Sequence, residues 1–235
     1  ERIDIQWLMK LTYRFADKII LQQKEMLEEL ESVIKLPASK CIALQNPIDT
    51  EDILKKANEP SPYPSHITGK FVWTARLSPQ KGQDILIKAF DMLHKERPYT
   101  HLYLVGKYSS EDDYYKKLRI MVEESDLSEY VHFVGFDENP YKWINYSDCF
   151  VLPSRYEGLP NSLIEAMYIG KPCVATRCIP IIDRMITDGY NGYTVPNEDY
   201  RSLSEAMKKS LELSHFSMIY KPASESDFVR LFNEL

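Results

Sequence analysis

From Phe71 to about Leu213 the chain alternates between short apolar runs and amphipathic stretches. The apolar runs near 71–75, 101–105, 131–134, 149–152, 172–176 and 192–195 read as strands. The segments near 83–95, 112–125, 139–146, 160–169, 182–187 and 199–213 read as helices. In the first of these, Ile85, Leu86, Ala89, Phe90 and Leu93 recur at helical spacing on one face. Such alternation implies βαβ units, and so an α/β, Rossmann-like parallel sheet with helices on both faces. Gly106, Gly135, Gly170 and Gly192 fall at element edges, where their backbone freedom is useful.

In a sheet of this kind ligands bind outside the carboxyl ends of the strands, near helix N-termini with unpaired N–H groups. Two strand-to-helix loops carry suitable chemistry. The first closes Phe71-Val-Trp-Thr-Ala-Arg-Leu-Ser-Pro-Gln-Lys-Gly82 and places Arg76 and Lys81 after the first strand. Arginine offers a planar fork for phosphate oxygens, and lysine a compact charge. The second lies in SDCFVLPSRYEGLPNSLIEAMYIGKPCVA, from Ser147 to Ala175, with seven residues between Glu157 and Glu165. There the strand Cys149–Leu152 enters a polar loop with Glu157, Gly158 lets a ligand come close, and Pro160 suits the first turn of a helix carrying Glu165. Such a loop suits an anion flanked by hydroxyl groups.

Each loop has a plainer reading. Two glutamates near a helix start can simply favour its dipole, and surface cations are usually solvated. The occurrence of both loops in one sheet favours the chemical reading.

With both motifs in view, the chain resembles the C-terminal half of a retaining group-1 (family 4) glycosyltransferase with the GT-B fold. The matching pieces are ARLSPQKG, HLYLVG, VHFVGF, SDCFVLPSRYEGLPNSLIEAM, GKPCVAT and DGYNGYTVP, in the family's order. The resemblance implies sugar transfer from a nucleotide-diphosphate sugar, uridine diphosphate being the commonest handle, to a saccharide or lipid-linked acceptor. It assigns Arg76, Lys81 and Glu157 to catalysis, the two cations stabilising the diphosphate as the glycosidic bond breaks and Glu157 facing the sugar. It assigns donor binding to Gly135, Phe136, Gly158, Leu159, Pro160, Asn161 and Glu165. Glu165 would take the ribose hydroxyls, and the Gly135-Phe136-Asp137 loop would lie against the base. No metal and no cofactor is implied, in keeping with the lack of an Asp-x-Asp motif.

The chain departs from the family in two places. Ala75 stands where glycine usually precedes the arginine, narrowing backbone approach to the phosphates. Pro180-Ile181 and Asp183-Arg184 replace the usual Gly-Gly and Pro-Glu in a loop expected to border the donor pocket. Two other functions stand beside sugar transfer: a non-catalytic nucleotide-sugar-binding subunit or regulatory module, and a GT-B-fold nucleotide-sugar epimerase, against which the order of the Arg…Lys-Gly and Glu-x7-Glu motifs speaks.

A net charge of −6 argues against nucleic acid as a partner. No apolar run is long enough to span a bilayer, and no signal peptide opens the sequence. The four cysteines have no Cys-x2-Cys spacing, and Cys149 and Cys173 read as buried free thiols of a reducing cytosol. His101 and His132 begin strands and show no further ligands for a metal. No Gly-x-Gly-x-x-Gly fingerprint is present, against a dinucleotide-dependent dehydrogenase.

The first 70 residues stand outside the alternation. Ile3–Ala16 reads as a helix, Lys18–Leu21 as a strand, Lys24–Val33 as a helix and Lys40–Gln45 as a strand. Asn46-Pro47-Ile48-Asp49 breaks the chain, a helical stretch runs to about Asn58, and Pro60–Pro64 is a loop. By resemblance, residues 1–48 are the tail of an acceptor-side N-terminal domain and linker, 49–213 the nucleotide-sugar-binding domain, and 214–235 a helical segment crossing back. With Glu1 rather than Met at its start, the chain is expected to be a fragment whose partner is a missing N-terminal domain. The apolar face of Trp7, Leu8, Leu11 and Phe15, with Lys10, Arg14 and Lys18 interleaved, is expected to pack on that domain. The other expectation is a peripheral membrane contact, from the cytoplasm on the inner face.

Overall fold

The computed structural model describes residues 2–24, 26–35, 37–213 and 224–234. Their contacts group the chain into two units, one comprising 1–49 and 222–235 and the other 50–221. In the first, α1 (Arg2–Thr12) runs into a 3-10 turn at Tyr13–Phe15, so the α-helix ends earlier than the expected Ala16. Strand β1 (Ile19–Leu21), helix α2 (Met26–Ile34) and strand β2 (Cys41–Ala43) follow, with β1 and β2 parallel. Leu21, Leu30 and Ile34 are buried together, with Met9 and Tyr13 against them. Trp7, Leu8, Leu11 and Phe15 are exposed, Phe15 by 73%.

The second unit opens with α3 (Thr50–Ala57) and continues as a doubly wound sheet. Its elements are β3 (Lys70–Thr74), α4 (Gln83–Glu96), β4 (His101–Val105), α5 (Asp113–Glu124), β5 (Val131–Gly135) and α6 (Pro140–Asn145). Then come β6 (Cys149–Leu152), α7 (Asn161–Tyr168), β7 (Cys173–Thr176), α8 (Ile182–Met185), β8 (Gly192–Val195) and α9 (Tyr200–Ser210). The six strands are all parallel, in the order β5-β4-β3-β6-β7-β8. Because strands alternate their side chains, each strand has apolar residues to bury on both faces. Phe71, Trp73, Leu102, Leu104, Cys149 and Val151 pack with Phe90 of α4, Leu118 of α5 and Met207 of α9. The intervening Val72, Phe150 and Leu152, with Leu163, Ile164 and Met167 of α7, are buried as well.

Several expected elements are shorter than the sequence implied, the helices near 160–169 and 182–187 among them. Pro160 precedes α7 rather than forming its first turn; its ψ of 74° is not helical, and its carbonyl accepts from the N–H groups of Leu163 and Ile164. Helix α8 ends at Met185 because Ile186 turns extended and the Asn191 side chain takes over, accepting from Thr187 N–H and donating to Met185 O. The last described element, α10 (Glu225–Glu234), belongs to the first unit, and residues 214–223 of the expected C-terminal segment lie outside the described residues.

Candidate functional site

Strand order reverses between β3 and β6. The connections from these two neighbours lead to strands on opposite sides, and a crevice at the carboxyl edge of such a switch point is the usual ligand position. Both motif loops leave from this point, and they cross at close range. Gly82 has φ of 70°, and a Cβ there would lie 2.0 Å from the Pro153 carbonyl oxygen. Only glycine satisfies both conditions, which gives the Lys81-Gly82 pair a structural cause. Arg155 N–H donates to Gln80 O (2.8 Å) and Gln80 Nε2 to Tyr156 O (3.0 Å). The Arg155 guanidinium adds a fork onto Asp84 at 2.9 and 3.0 Å and bonds to Pro79 O and Glu198.

This crossing sets Lys81 against Glu157. The ammonium donates to both carboxylate oxygens, at 2.7 and 2.9 Å, and the side chains are only 18% and 5% exposed. Ser154 Oγ donates to the same carboxylate at 2.6 Å, and Thr176 Oγ1 holds the Ser154 carbonyl. Glu157 is therefore held by the β3 loop and its own β6 loop, the latter anchored on β7, and turned inward.

The far rim is stitched by backbone. Ala75 N–H donates to Val105 O, Leu77 N–H to Lys107 O and Gly106 N–H to Gly135 O, at 3.1, 3.2 and 2.8 Å. A Cβ at Gly106 would lie 1.5 Å from the Ala75 carbonyl oxygen, so these loops run in direct contact. Between the two rims lies a cleft of about 470 Å³. Arg76, Lys81 and Lys107 line it, together with Phe136, Leu159 and Glu165. Pro160 and Asn161 present the start of α7, which has neither a side-chain cap nor an acidic residue in its first turn. An uncapped helix start favours an anion.

The two carboxylates at the cleft differ in state. Burial pushes the Glu165 carboxyl up from its ordinary value, against a weaker opposing pull from the Tyr141 hydroxyl, 3.5 Å away. Asp137 is also partly buried, but bonds from Trp143 Nε1 (2.8 Å), Asn139 N–H (2.8 Å) and Lys142 outweigh that burial and hold it low. Its lone pairs are thus largely committed, whereas Glu165 keeps accepting capacity toward the cleft.

Of the residues named from sequence, Arg76, Lys81, Phe136, Leu159, Pro160, Asn161 and Glu165 line one cleft. Glu157 sits behind Lys81, and Gly135 ends β5 at φ of 87°, receiving the Gly106 N–H. Gly158 lies in the exposed turn between Glu157 and the cleft wall. Ala75 is itself a lining residue. The 180–184 segment contributes none: Ile181 and Ile182 are buried, and Asp183 pairs with Arg177 at 3.0 Å. Lys107, Ser154 and Tyr141 were missed in the sequence, and the only signal for Lys107 was its place just after a strand-ending glycine. His101 Nδ1 and His132 Nε2 are 3.0 Å apart, and among the described residues no three His, Cys, Asp or Glu side chains converge on a metal position. The four cysteines are free, with Cys149 and Cys173 buried.

Residues 66–226 match the family described as glycosyl transferases group 1. The chain belongs to this family. An uncharacterized glycosyltransferase of Methanocaldococcus jannaschii is 32% identical over 173 residues, covering 72% of this chain and 42% of that protein. The N-acetylgalactosamine-N,N'-diacetylbacillosaminyl-diphospho-undecaprenol 4-alpha-N-acetylgalactosaminyltransferase of Campylobacter jejuni is 30% identical over 217 residues, covering 92% and 56%. The chain thus spans about half the length of these curated relatives. Among solved structures, Anabaena HepE in complex with UDP and glucose superposes with a TM-score of 0.76 at 23% identity, covering 90% of this chain and 58% of HepE. The group-1 chain therefore has the fold of GT-B glycosyltransferases, and no helix among its described residues is long and apolar enough to cross a membrane.

Proposed function

We propose that this group-1 chain supplies the donor side of a retaining glycosyltransferase that uses a nucleoside diphosphate sugar, with uridine diphosphate as the handle. The observation that carries the reading is the crossing of the β3 and β6 loops, with Arg76, Lys81, the Glu165 carboxylate and an uncapped helix start on one cleft. In this reading Phe136 lies against the base, Glu165 accepts from the ribose hydroxyls, and Arg76, Lys81 and the N–H groups of α7 face the diphosphate. Glu157 acts on the sugar side through Lys81, which it holds from behind.

The bond from the anomeric carbon to the phosphate oxygen breaks, and its electron pair stays on the phosphate. The acceptor hydroxyl attacks from the same face and gives its proton to that phosphate oxygen. Fixed cations facing the growing charge lower the barrier without any metal or cofactor. The acceptor is a saccharide or lipid-linked saccharide. The relatives' greater length supports an acceptor side built by further chain, and the exposed Trp7, Leu8, Leu11 and Phe15 belong to that side or to a peripheral membrane contact. The expected site is the cytoplasm and the inner membrane face.

A melting screen with UDP, GDP and ADP tests this, because a ligand that binds only the folded state raises the melting temperature. UDP is expected to give the largest rise. No rise with any nucleoside diphosphate rejects the reading. Incubation with UDP-sugars in the absence of acceptor, followed by product analysis, separates it from an epimerase, which would yield an altered sugar.

A further inference from the structure

Three cations line the cleft, and they are not equivalent. Lys81 is held by both oxygens of a carboxylate that is only 5% exposed. Two of its three N–H donors are thus committed, and leaving Glu157 altogether would strand a nearly buried carboxylate, which is costly. The Arg76 guanidinium and the Lys107 ammonium make no ion pair or side-chain hydrogen bond among the described residues, and both side chains are exposed at the cleft. Neither has a partner to give up.

Lys107 is also well placed. Its carbonyl accepts from Leu77 N–H, one residue beyond Arg76, so the two cations are carried by loops bonded to each other. Its neighbour Gly106 is pressed against the Ala75 carbonyl, which leaves this rim no room to drift. The stem is thus rooted on the same rim as Arg76, and the ammonium offers three donors and no acceptor. Its partner must be anionic or carbonyl-like. Of the two acids lining the cleft, Asp137 is already bonded to Trp143 and Lys142, and Glu165 is given to the ribose in the reading above; neither pairs with Lys107.

We propose, resting on the donor-site reading above, that Lys107 is a further phosphate-binding residue, acting with Arg76 on the intact nucleoside diphosphate. It adds to what Lys81 offers through the donor that Glu157 does not hold.

The test is titration calorimetry of the 235-residue chain with UDP, UMP and uridine. Lys107→Ala should weaken UDP about tenfold or more, as expected for loss of a charge-assisted contact. Uridine should change less than about twofold, and Lys107→Arg should restore most of the UDP affinity. Arg76→Ala serves as the control for the site itself. Loss of UDP affinity in Arg76→Ala but not in Lys107→Ala overturns this inference and leaves the donor site standing. No loss in either variant overturns the donor-site reading. Equal loss for uridine and UDP in Lys107→Ala places the residue on the nucleoside and overturns the inference.

Discussion

Lys81 and Glu157, 76 residues apart in the chain, form a two-pronged ion pair at 2.7 and 2.9 Å where the β3 and β6 loops cross. The pair is nearly closed to solvent on the carboxylate side. It links the two motif loops, and it makes the first of them structurally dependent on the second. Removing one partner of such a pair strands a charge, and removing both does not.

The stability consequence is specific. Lys81→Ala should lower stability by about 3 kcal/mol, because Glu157 then keeps only the Ser154 hydroxyl beside a buried charge. Lys81→Ala with Glu157→Gln should recover most of that loss. Urea unfolding of the two single variants and the double variant measures the coupling. Simple addition of the two single losses would show that the pair contributes nothing jointly.

The pair also separates the roles of the two glutamates. Glu165→Gln should weaken UDP by about 1–3 kcal/mol, the loss expected when a charged acceptor is removed. Glu157→Gln should leave UDP binding unchanged or slightly tighter, because it releases Lys81 from its carboxylate. In an enzyme reconstituted with its acceptor side, Glu157→Gln should depress kcat rather than KM for the donor. A marked weakening of UDP in Glu157→Gln would place that carboxylate on the nucleotide and reject the division.

Much of this site could be read from the chain, and the reason is local. Arg76 and Lys81 lie between a strand and its following helix, and Pro160, Asn161 and Glu165 at the start or in the first turns of such a helix. A parallel sheet sends every such loop to the same edge. Spacing carried no information on which loops would touch. The Lys81–Glu157 contact depends on β3 and β6 being neighbours, a fact of strand order. Lys107 escaped notice for the same reason: a lysine after a strand is ordinary until Gly106 is seen against Ala75. The position of Pro160 was misjudged by one residue because a proline suited to the first turn is equally compatible with the residue before it.

Two glycines at positive φ should respond differently to alanine. Gly82→Ala meets both the left-handed backbone and the Pro153 carbonyl at 2.0 Å, so the crossing must open. Gly135→Ala has φ of 87° and nothing within 4 Å, so it bears only the backbone cost, about 1–2 kcal/mol. Gly82→Ala should therefore destabilise the fold more and abolish UDP binding, while Gly135→Ala retains it. Comparable melting temperatures for the two would remove the close crossing as an explanation for Gly82.

The His101–His132 contact gives the fold an acid-sensitive point away from the cleft. Burial first, and the neighbouring His101 second, push His132 down to about 4 from an ordinary 6.5. In the unfolded chain it binds a proton below about 6.5, and in the fold only near 4, so stability is complete above the higher value and is lost as pH falls between them. His132 is partly solvated, which reduces the effect to on the order of 1–2 kcal/mol. Urea unfolding at pH 7.5 and pH 5 should show that loss in the native chain and a flatter dependence in His132→Gln. An equal slope in both would assign the acid sensitivity elsewhere.

Glu165 supplies a functional pH dependence of the opposite origin. Burial raises its carboxyl above the ordinary value, and the Tyr141 hydroxyl only partly offsets that. The ionised form accepts from the ribose hydroxyls, so affinity is full above the raised value and falls as pH drops through it. The decline should begin at a higher pH than an ordinary glutamate would give. Uridine is the right probe, since it has no phosphate that titrates in the same range. Its affinity should fall on acidification in the native chain and stay level in Glu165→Gln, which binds more weakly at every pH but has no proton to gain. Tyr141→Phe removes the bond that favours the ionised carboxylate, and should move the decline to still higher pH. A uridine profile that is flat in the native chain, or unchanged by Glu165→Gln, would take Glu165 off the ribose.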